Sequence, residues 1–239
     1  MHKPKEERVH EVFESIHEKY DKMNTVISLN QHTNWRRDVM KKMNVSLGAS
    51  ALDLCCGTAD WTIQLAEAAG ENGYIKGLDF SENMLRAGQE KVARLGFENI
   101  ELLHGNAMDI PFADETFDFV TIGFGLRNVP DYDTVLREMY RILKPGGLAV
   151  SLETSQPEKR VVNKAYSIYF TKVMPLLGKY IAGKYKEYSW LQESTMSFPN
   201  KNLLSIMFAE AGFDKVQVSS YSFGAAAAHF AYKGVTEDK

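Results

Sequence analysis

From Ser50 to Asp60 the chain reads Ser-Ala-Leu-Asp-Leu-Cys-Cys-Gly-Thr-Ala-Asp, and Gly77-Leu78-Asp79-Phe80 follows after room for one helix and one strand. Residues 51–54 are apolar around the single carboxylate of Asp53, which suits a buried strand. Cys56, Gly57, Thr58 and Ala59 are small enough for a sharp turn into the helix that starts near Trp61. A strand, a tight turn and a helix start therefore stand beside a second strand that ends on an acid. Such a turn presents backbone N–H groups to a ligand, and a carboxylate placed like Asp79 accepts both hydroxyls of a ribose.

The glycine pattern narrows the ligand. Only Gly57 is a glycine, while Cys56 and Ala59 fill the flanking places of the dinucleotide pattern G-x-G-x-x-G. Pyrophosphate needs closer backbone approach than Cys and Ala easily allow, whereas a nucleoside with an amino-acid tail needs less. S-adenosyl-L-methionine is the expected cofactor, ahead of NAD. The competing reading is a compact strand-to-helix turn that binds nothing.

Around this turn the sequence lays out a sheet. Val9, Val12, Phe13 and Ile16 recur at helical spacing over residues 6–20. Residues 20–35 interleave aromatic and polar groups without a period, the character of a lid, and a helix is expected over 35–43. Strands are then predicted at 51–54, 73–79, 100–104, 117–123 and 148–153, alternating with helices at 61–69, 81–95 and 131–143. Alternation of this kind implies a parallel sheet covered by helices on both faces. Ser81 and Asp131 are candidate helix N-caps, and Lys144-Pro145-Gly146-Gly147 reads as a helix stop and turn. The carboxyl edge of the sheet collects Asp53, Asp79, His104, Gly123 and Glu153, and ligands of open α/β sheets bind there.

Residues 161–188 are rich in Tyr, Phe, Ile, Leu and Met, including Tyr166, Tyr169, Phe170, Met174, Leu176 and Leu177. They are either core helix or the lining of an apolar substrate site. Phe198-Pro199-Asn200 then caps a helix to residue 211, and strands close the chain at 215–221 and 225–232. A single domain over 1–239 is expected: a helical lid (1–48), a cofactor-binding core (49–155), a helical insertion lining the substrate site (156–212) and closing strands (213–239).

At 239 residues the chain suits one α/β domain with additions. A net charge of -3 gives no reason to expect nucleic acid as a partner. The only two cysteines, Cys55 and Cys56, are adjacent, which suits neither an ordinary disulfide nor a zinc site, so no metal is expected. With no apolar leader and no membrane-length run, the expected location is the cytoplasm.

Three stretches resemble one family. Tyr20-Asp21-x-Met23-Asn24-x-x-Ile27-Ser28-x-x-x-His32-x-x-Trp35, Phe124-Gly125-Leu126-Arg127-Asn128-Val129, and Arg141-Ile-Leu-Lys144-Pro145-Gly146-Gly147 continuing to Glu153-Thr-Ser155 are similar to the quinone-biosynthesis C-methyltransferases. That family acts on demethylmenaquinone and on a ubiquinone precursor. The resemblance implies a Rossmann-like class I methyltransferase fold, with a seven-stranded, mostly parallel sheet, helices on both faces and an antiparallel last strand. It implies that Thr58 and Asp79 contact S-adenosyl-L-methionine, and that Asn106 and Ala107 flank its adenine. Asp53 and Gly57 join them from the strand-and-turn reading. Gly123 stands where one branch of the family has serine, and Ala59 replaces a family glycine. The chain is closer to the menaquinone-only branch.

The implied reaction is methylation of the reduced naphthoquinone ring of demethylmenaquinol, the last step of menaquinone biosynthesis. Deprotonating a ring hydroxyl gives the adjacent carbon the electron density to attack. Arg127 could polarise the ring oxygen with Asn128 bonded to it, or could be paired with Asp131 or Asp133. Tyr20 and His32 are alternative proton acceptors. Asp60 is read as either a carboxylate near the sulfonium or a helix cap. The prenyl tail of the substrate implies transient contact of residues 161–188 with a membrane surface, peripheral at its inner face, and a homodimer is possible. The alternative function is methylation of another small aromatic acceptor, a ubiquinone precursor or a phenolic oxygen.

Overall fold

The apolar runs pair into one sheet. The computed structural model describes residues 5–16, 20–157, 164, 168, 169, 190 and 193–235. Its strands are β1 (Ser50–Leu54), β2 (Tyr74–Asp79), β3 (Ile100–His104), β4 (Phe117–Gly123), β5 (Leu143–Thr154), β6 (Lys215–Tyr221) and β7 (Ala226–Tyr232). They lie in the order β3-β2-β1-β4-β5-β7-β6. β1 to β5 pair in parallel, and β7 runs antiparallel between β5 and β6. This is the sheet expected from the sequence.

Burial on both faces explains why β1 and β4 read as nearly continuous apolar runs. Two helices, α6 (Tyr132–Ile142) and α7 (Lys201–Glu210), cover one face, where Val135, Leu136 and Met139 of α6 and Phe208 of α7 meet Leu52, Leu54, Val120 and Ile122. The other face is covered by α3 (Gln31–Met43) and α4 (Asp60–Ala69), whose Val39, Met43, Trp61 and Leu65 meet Ala51, Val150 and Phe230. Alternate residues of β1 thus enter opposite cores, as the strand period of two requires. The Ser81 hydroxyl accepts from Met84 N at the start of α5 (Glu82–Leu95), and Asp131 accepts from Thr134 N at the start of α6, so both predicted caps are present.

Two expectations change. Residues 20–35 are not irregular: α1 (Lys5–Ile16) is followed by α2 (Tyr20–Ile27), and α3 starts at Gln31 rather than residue 35. Between them the backbone turns through left-handed Leu29 and Asn30, at φ 50 and 60. Periodicity failed here because His32 and Trp35 line a cavity, and Trp35 packs against core as well. The Lys144-Pro145-Gly146-Gly147 segment is not a free turn either; it forms the irregular start of β5, with the register shifted between Phe117 and Phe119. Gly146 N donates to Lys233 O and Lys233 N donates to Gly147 O, so the backbone beyond β7 keeps this segment extended. Of the 161–188 stretch only residues 164, 168 and 169 are described; the rest lies outside the described residues.

Candidate active site

The turn after β1 is the most strained place in the core. Cys55, Gly57 and Ala59 all take left-handed backbone, at φ 51, 55 and 64. Ala59 therefore occupies a conformation that favours glycine, and it does so fully buried. Gly125 packs against this turn so closely that a Cβ there would lie 2.4 Å from Cys55 Cβ. Asp79 fixes the turn from the neighbouring strand: one carboxylate oxygen accepts from Gly57 N at 2.8 Å, the other from Ser81 N at 2.9 Å. Burial raises its pKa, and these backbone donors oppose the rise.

Above the strand ends lies a cavity of about 730 Å³, lined by Asp79, Phe80, Gly57, Asn106, Ala107 and Tyr20 among others. Helix α1 roofs it with Val9 and Phe13, and Ser81 Oγ donates to Glu14 Oε1 of α1 at 2.6 Å. Among the described residues no cationic side chain lines this cavity. A carboxylate, apolar walls and exposed backbone suit a nucleoside, and they do not suit a pyrophosphate. The expected residues Gly57, Asp79, Asn106 and Ala107 are thus brought together here.

Thr58 and Asp53 are not in that cavity. They line an adjoining polar chamber of about 420 Å³, together with Arg36, Asp60, Asn24 and Tyr20; Tyr20, Cys55, Gly57, Gly123 and Phe124 border both spaces. Thr58 Oγ1 donates to Asp21 Oδ1 at 2.7 Å. Lys91 ties this edge together, donating to Asp21, Asp60 and Thr58 at 2.9, 2.7 and 3.2 Å. Burial favours a neutral Asp60, but Arg36 and Lys91 outweigh it and hold its pKa below the usual value. Asp60 therefore belongs to an ion network, while α4 begins after left-handed Ala59 without a side-chain cap. Asp53 lies beneath the turn, accepting from the Thr62 and Thr121 hydroxyls at 2.8 and 2.7 Å, and burial pushes its pKa up to about 6.

A third space of about 990 Å³ opens beneath α2 and α3, lined by Ile27, Leu29, His32, Trp35, Phe124 and Arg127 among others. This lid cavity is largely apolar. Tyr169 also lines it and donates to Ile27 O at 2.8 Å, so one residue of the aromatic stretch reaches this site. Phe124, at φ 57, stands as a wall bordering all three spaces.

Arg127 is buried and paired, but with neither Asp131 nor Asp133. Its Nη1 donates to Glu153 Oε2 at 2.8 Å and its backbone N to Glu153 Oε1 at 3.2 Å, while Nε has no hydrogen-bond partner among the described residues. Asp131 caps α6 instead. Glu153 thus belongs to the site, and its place at the carboxyl edge of the sheet was the sequence signal for it. Asn128 borders the strand-end cavity, with its side chain bonded to Phe124 O and to the Trp190 indole.

His32 and Tyr20 are separated. Tyr20 borders the strand-end cavity and the polar chamber, and burial raises its phenol above the ordinary value of 10.0. His32 lines the lid cavity, where burial, helped by Arg36, lowers its pKa below 6.5. Its Nδ1 lies 2.7 Å from Ser28 Oγ, which lies 2.6 Å from Asn24 O. A carbonyl only accepts, so the Ser28 proton points to Asn24 O and Nδ1–H donates to Ser28 Oγ. Nε2 is left with a free lone pair. His104 bonds to Phe80 O instead, outside all three cavity linings. Among the described residues no cluster of His, Cys, Asp and Glu could hold a metal ion, both cysteines are free thiols, and no helix is long and apolar enough to cross a membrane.

Two solved structures share this fold at low identity. A protein from Thermotoga maritima described as a SAM-dependent methyltransferase, possible histamine N-methyltransferase, is 20% identical with TM-score 0.67, covering 93% of this chain and 99% of that one. The putative methyltransferase complexed with the Trm112 activator of Haloferax volcanii is 18% identical with TM-score 0.69, covering 93% and 97%. Curated relatives are much nearer. The demethylmenaquinone methyltransferase of Geobacillus kaustophilus is 59% identical over 98% of this chain and 100% of its own length. That of Alkalihalophilus pseudofirmus is 60% identical over 98% and 99%. The model of the ubiE/COQ5 methyltransferase family matches residues 1–233, and the chain belongs to that family.

Proposed function

We propose that the protein transfers a methyl group from S-adenosyl-L-methionine to the ring carbon of demethylmenaquinol, giving menaquinol in the last step of menaquinone biosynthesis. The observation that carries this reading is the meeting of two unlike cavities at Phe124: a nucleoside-shaped one holding Asp79, and an apolar one holding His32 and Arg127. The near-full-length relatives named as demethylmenaquinone methyltransferases support the acceptor.

When bound, S-adenosyl-L-methionine supplies an electrophilic methyl on sulfur. Asp79 holds the ribose hydroxyls, Asn106 and Ala107 flank the adenine, and α1 closes over them. In the lid cavity, His32 Nε2 takes the proton of a ring hydroxyl, since its proton already sits on Nδ1. Arg127 cannot serve as that base, because a guanidinium in a buried ion pair keeps its proton. Its Nε–H instead stabilises the charge that develops on the ring oxygen. Tyr20 keeps its phenolic proton and closes the nucleoside side. Trp35, Ile27 and Phe124 exclude water, which favours a reaction in which an anion and a cation neutralise each other. Only the quinol has the hydroxyl to deprotonate, so the reduced ring is the substrate. In this reading α1, α2 and α3 act as the lid over both cavities.

The mouth of the lid cavity supports contact with a membrane surface. Leu29 lines it while remaining 75% exposed, and Phe223, between the lining residues Ser222 and Ala225, is 83% exposed. Apolar side chains at a loop tip beside a prenyl-binding cavity suit shallow insertion into the interface. Failure of the protein to sediment with anionic liposomes would remove this part of the reading. The central test is transfer of labelled methyl to short-chain demethylmenaquinone with and without a reductant. Product only under reducing conditions is expected; product from the oxidised quinone alone would overturn the quinol mechanism.

A further inference from the structure

Two cations meet the residues that line the polar chamber, Lys91 bonding Thr58 and Asp60 from behind and Arg36 lining the chamber itself, in very different conditions. The Lys91 ammonium has three protons and three acceptors within 3.2 Å, so it is saturated. Arg36 has five N–H donors, yet among the described residues its one ion pair is Nη1 to Asp60 Oδ2 at 3.4 Å. Its Nε is buried without a hydrogen-bond partner among the described residues, and its side chain is only 11% exposed. A buried guanidinium N–H left unmade is costly, and such a group lining a chamber marks a place where an anion completes the set.

The chamber opens on the nucleoside cavity along Tyr20, Cys55, Gly57, Gly123 and Phe124. A ligand whose nucleoside lies against Asp79 therefore places its sulfur substituents toward the chamber. Those of the methyl donor end in an ammonium and a carboxylate. The chamber offers the matching pair, with Asp53 under the turn on one side and Arg36 from α3 on the other. We infer that Arg36 binds the carboxylate of the donor's amino-acid tail, completing its guanidinium hydrogen bonds through Nε–H and a second N–H.

This inference rests on the methyl-donor reading and gives it a consequence. Arg36 shares α3 with His32 and Trp35, which line the lid cavity. A carboxylate held by Arg36 therefore ties the donor to the helix that shapes the acceptor site.

The test compares two ligands by calorimetry: S-adenosylhomocysteine, which carries the tail, and 5′-methylthioadenosine, which lacks it. Arg36→Gln is expected to weaken S-adenosylhomocysteine on the order of 10- to 100-fold, the range of a charged hydrogen bond. Its affinity for 5′-methylthioadenosine, an internal measure of folding, stays within about twofold of wild type, well below that range. Arg36→Lys is expected to recover part of the loss, because a point charge replaces the fork. Equal weakening of both ligands, or an unchanged affinity for S-adenosylhomocysteine, overturns the assignment. If the wild-type protein binds neither ligand, the methyl-donor reading itself fails, a result distinct from failure of Arg36.

Discussion

The strand-end cavity and the lid cavity are built by opposite means. The first is made of backbone: three left-handed residues in five positions after β1, pinned by Asp79 and buried in the core. The second is made of side chains from α2 and α3, from the Phe124 to Arg127 stretch, and from residues as distant as Tyr169, Thr195 and Ser222. Recognition of a constant ligand fits a rigid turn, and recognition of a bulky apolar one fits a surface assembled from separate pieces.

If that division holds, damage to the lid cavity should remove catalysis while leaving donor affinity intact. The largest effect is expected from His32→Asn: turnover falls by about 10²- to 10⁴-fold, the usual worth of a general base. Binding of S-adenosylhomocysteine remains near wild type. Loss of donor binding in the same variant would mean that the cavities are not separable.

Glu153→Ala tests the wall between them. It leaves Arg127 charged and uncompensated in a buried place, which costs about 3–5 kcal/mol of stability in denaturant unfolding. Glu153→Leu with Arg127→Leu is expected to restore most of that stability but no activity. A stable but inactive double variant would show that the ion pair serves the reaction more than the fold.

The same contrast governs what the sequence could reveal. The inner strands were legible because burial on both faces writes continuous apolar runs, and β2, β4 and β7 lie within the residues expected for them. Gly57 and Asp79, which line the strand-end cavity, were legible from the turn and strand end that carry them, whereas Asn106 and Ala107, which line it too, were named only through the family resemblance. Within the lid, α1 and the later part of α3 were legible and residues 20–34 were not, since His32 and Trp35 at the start of α3 face a cavity. Glu153 was missed as the partner of Arg127 because Asp131 and Asp133 are nearer in sequence. The pairing of Gly123 with Leu152 instead brings the end of β5 to Arg127. Arg36 carried no motif at all, and only its burial beside the chamber exposed it.

A third test concerns pH. Asp53 has its pKa raised from 3.8 to about 6, so the folded state binds its proton more tightly than the unfolded chain. Stability is then greatest below about pH 4 as far as this group is concerned, and falls as pH rises toward 6, by about 3 kcal/mol at most. Asp53→Asn, which keeps one acceptor oxygen and offers an N–H to the second threonine hydroxyl, should remove that slope in unfolding curves taken from pH 4 to 6. Donor affinity behaves in the opposite sense: a cationic tail favours ionised Asp53, so affinity weakens as pH falls through about 6. The variant should flatten that limb as well.

The smallest effect sharpens the comparison most. Ser28→Ala removes the acceptor that keeps the His32 proton on Nδ1, without touching the imidazole. The ring can then carry its proton on either nitrogen, and only part of the population presents Nε2 as a base. Turnover should fall by about tenfold, consistent with about 1.4 kcal/mol for one lost orienting hydrogen bond. The acid limb of the turnover profile, set by His32 protonating below 6.5, should persist because the base is still present. Donor affinity and its separate limb near pH 6 should not move. A loss as large as that of His32→Asn would mean that the hydroxyl itself handles the substrate proton, and the base would then be Ser28 with His32 behind it.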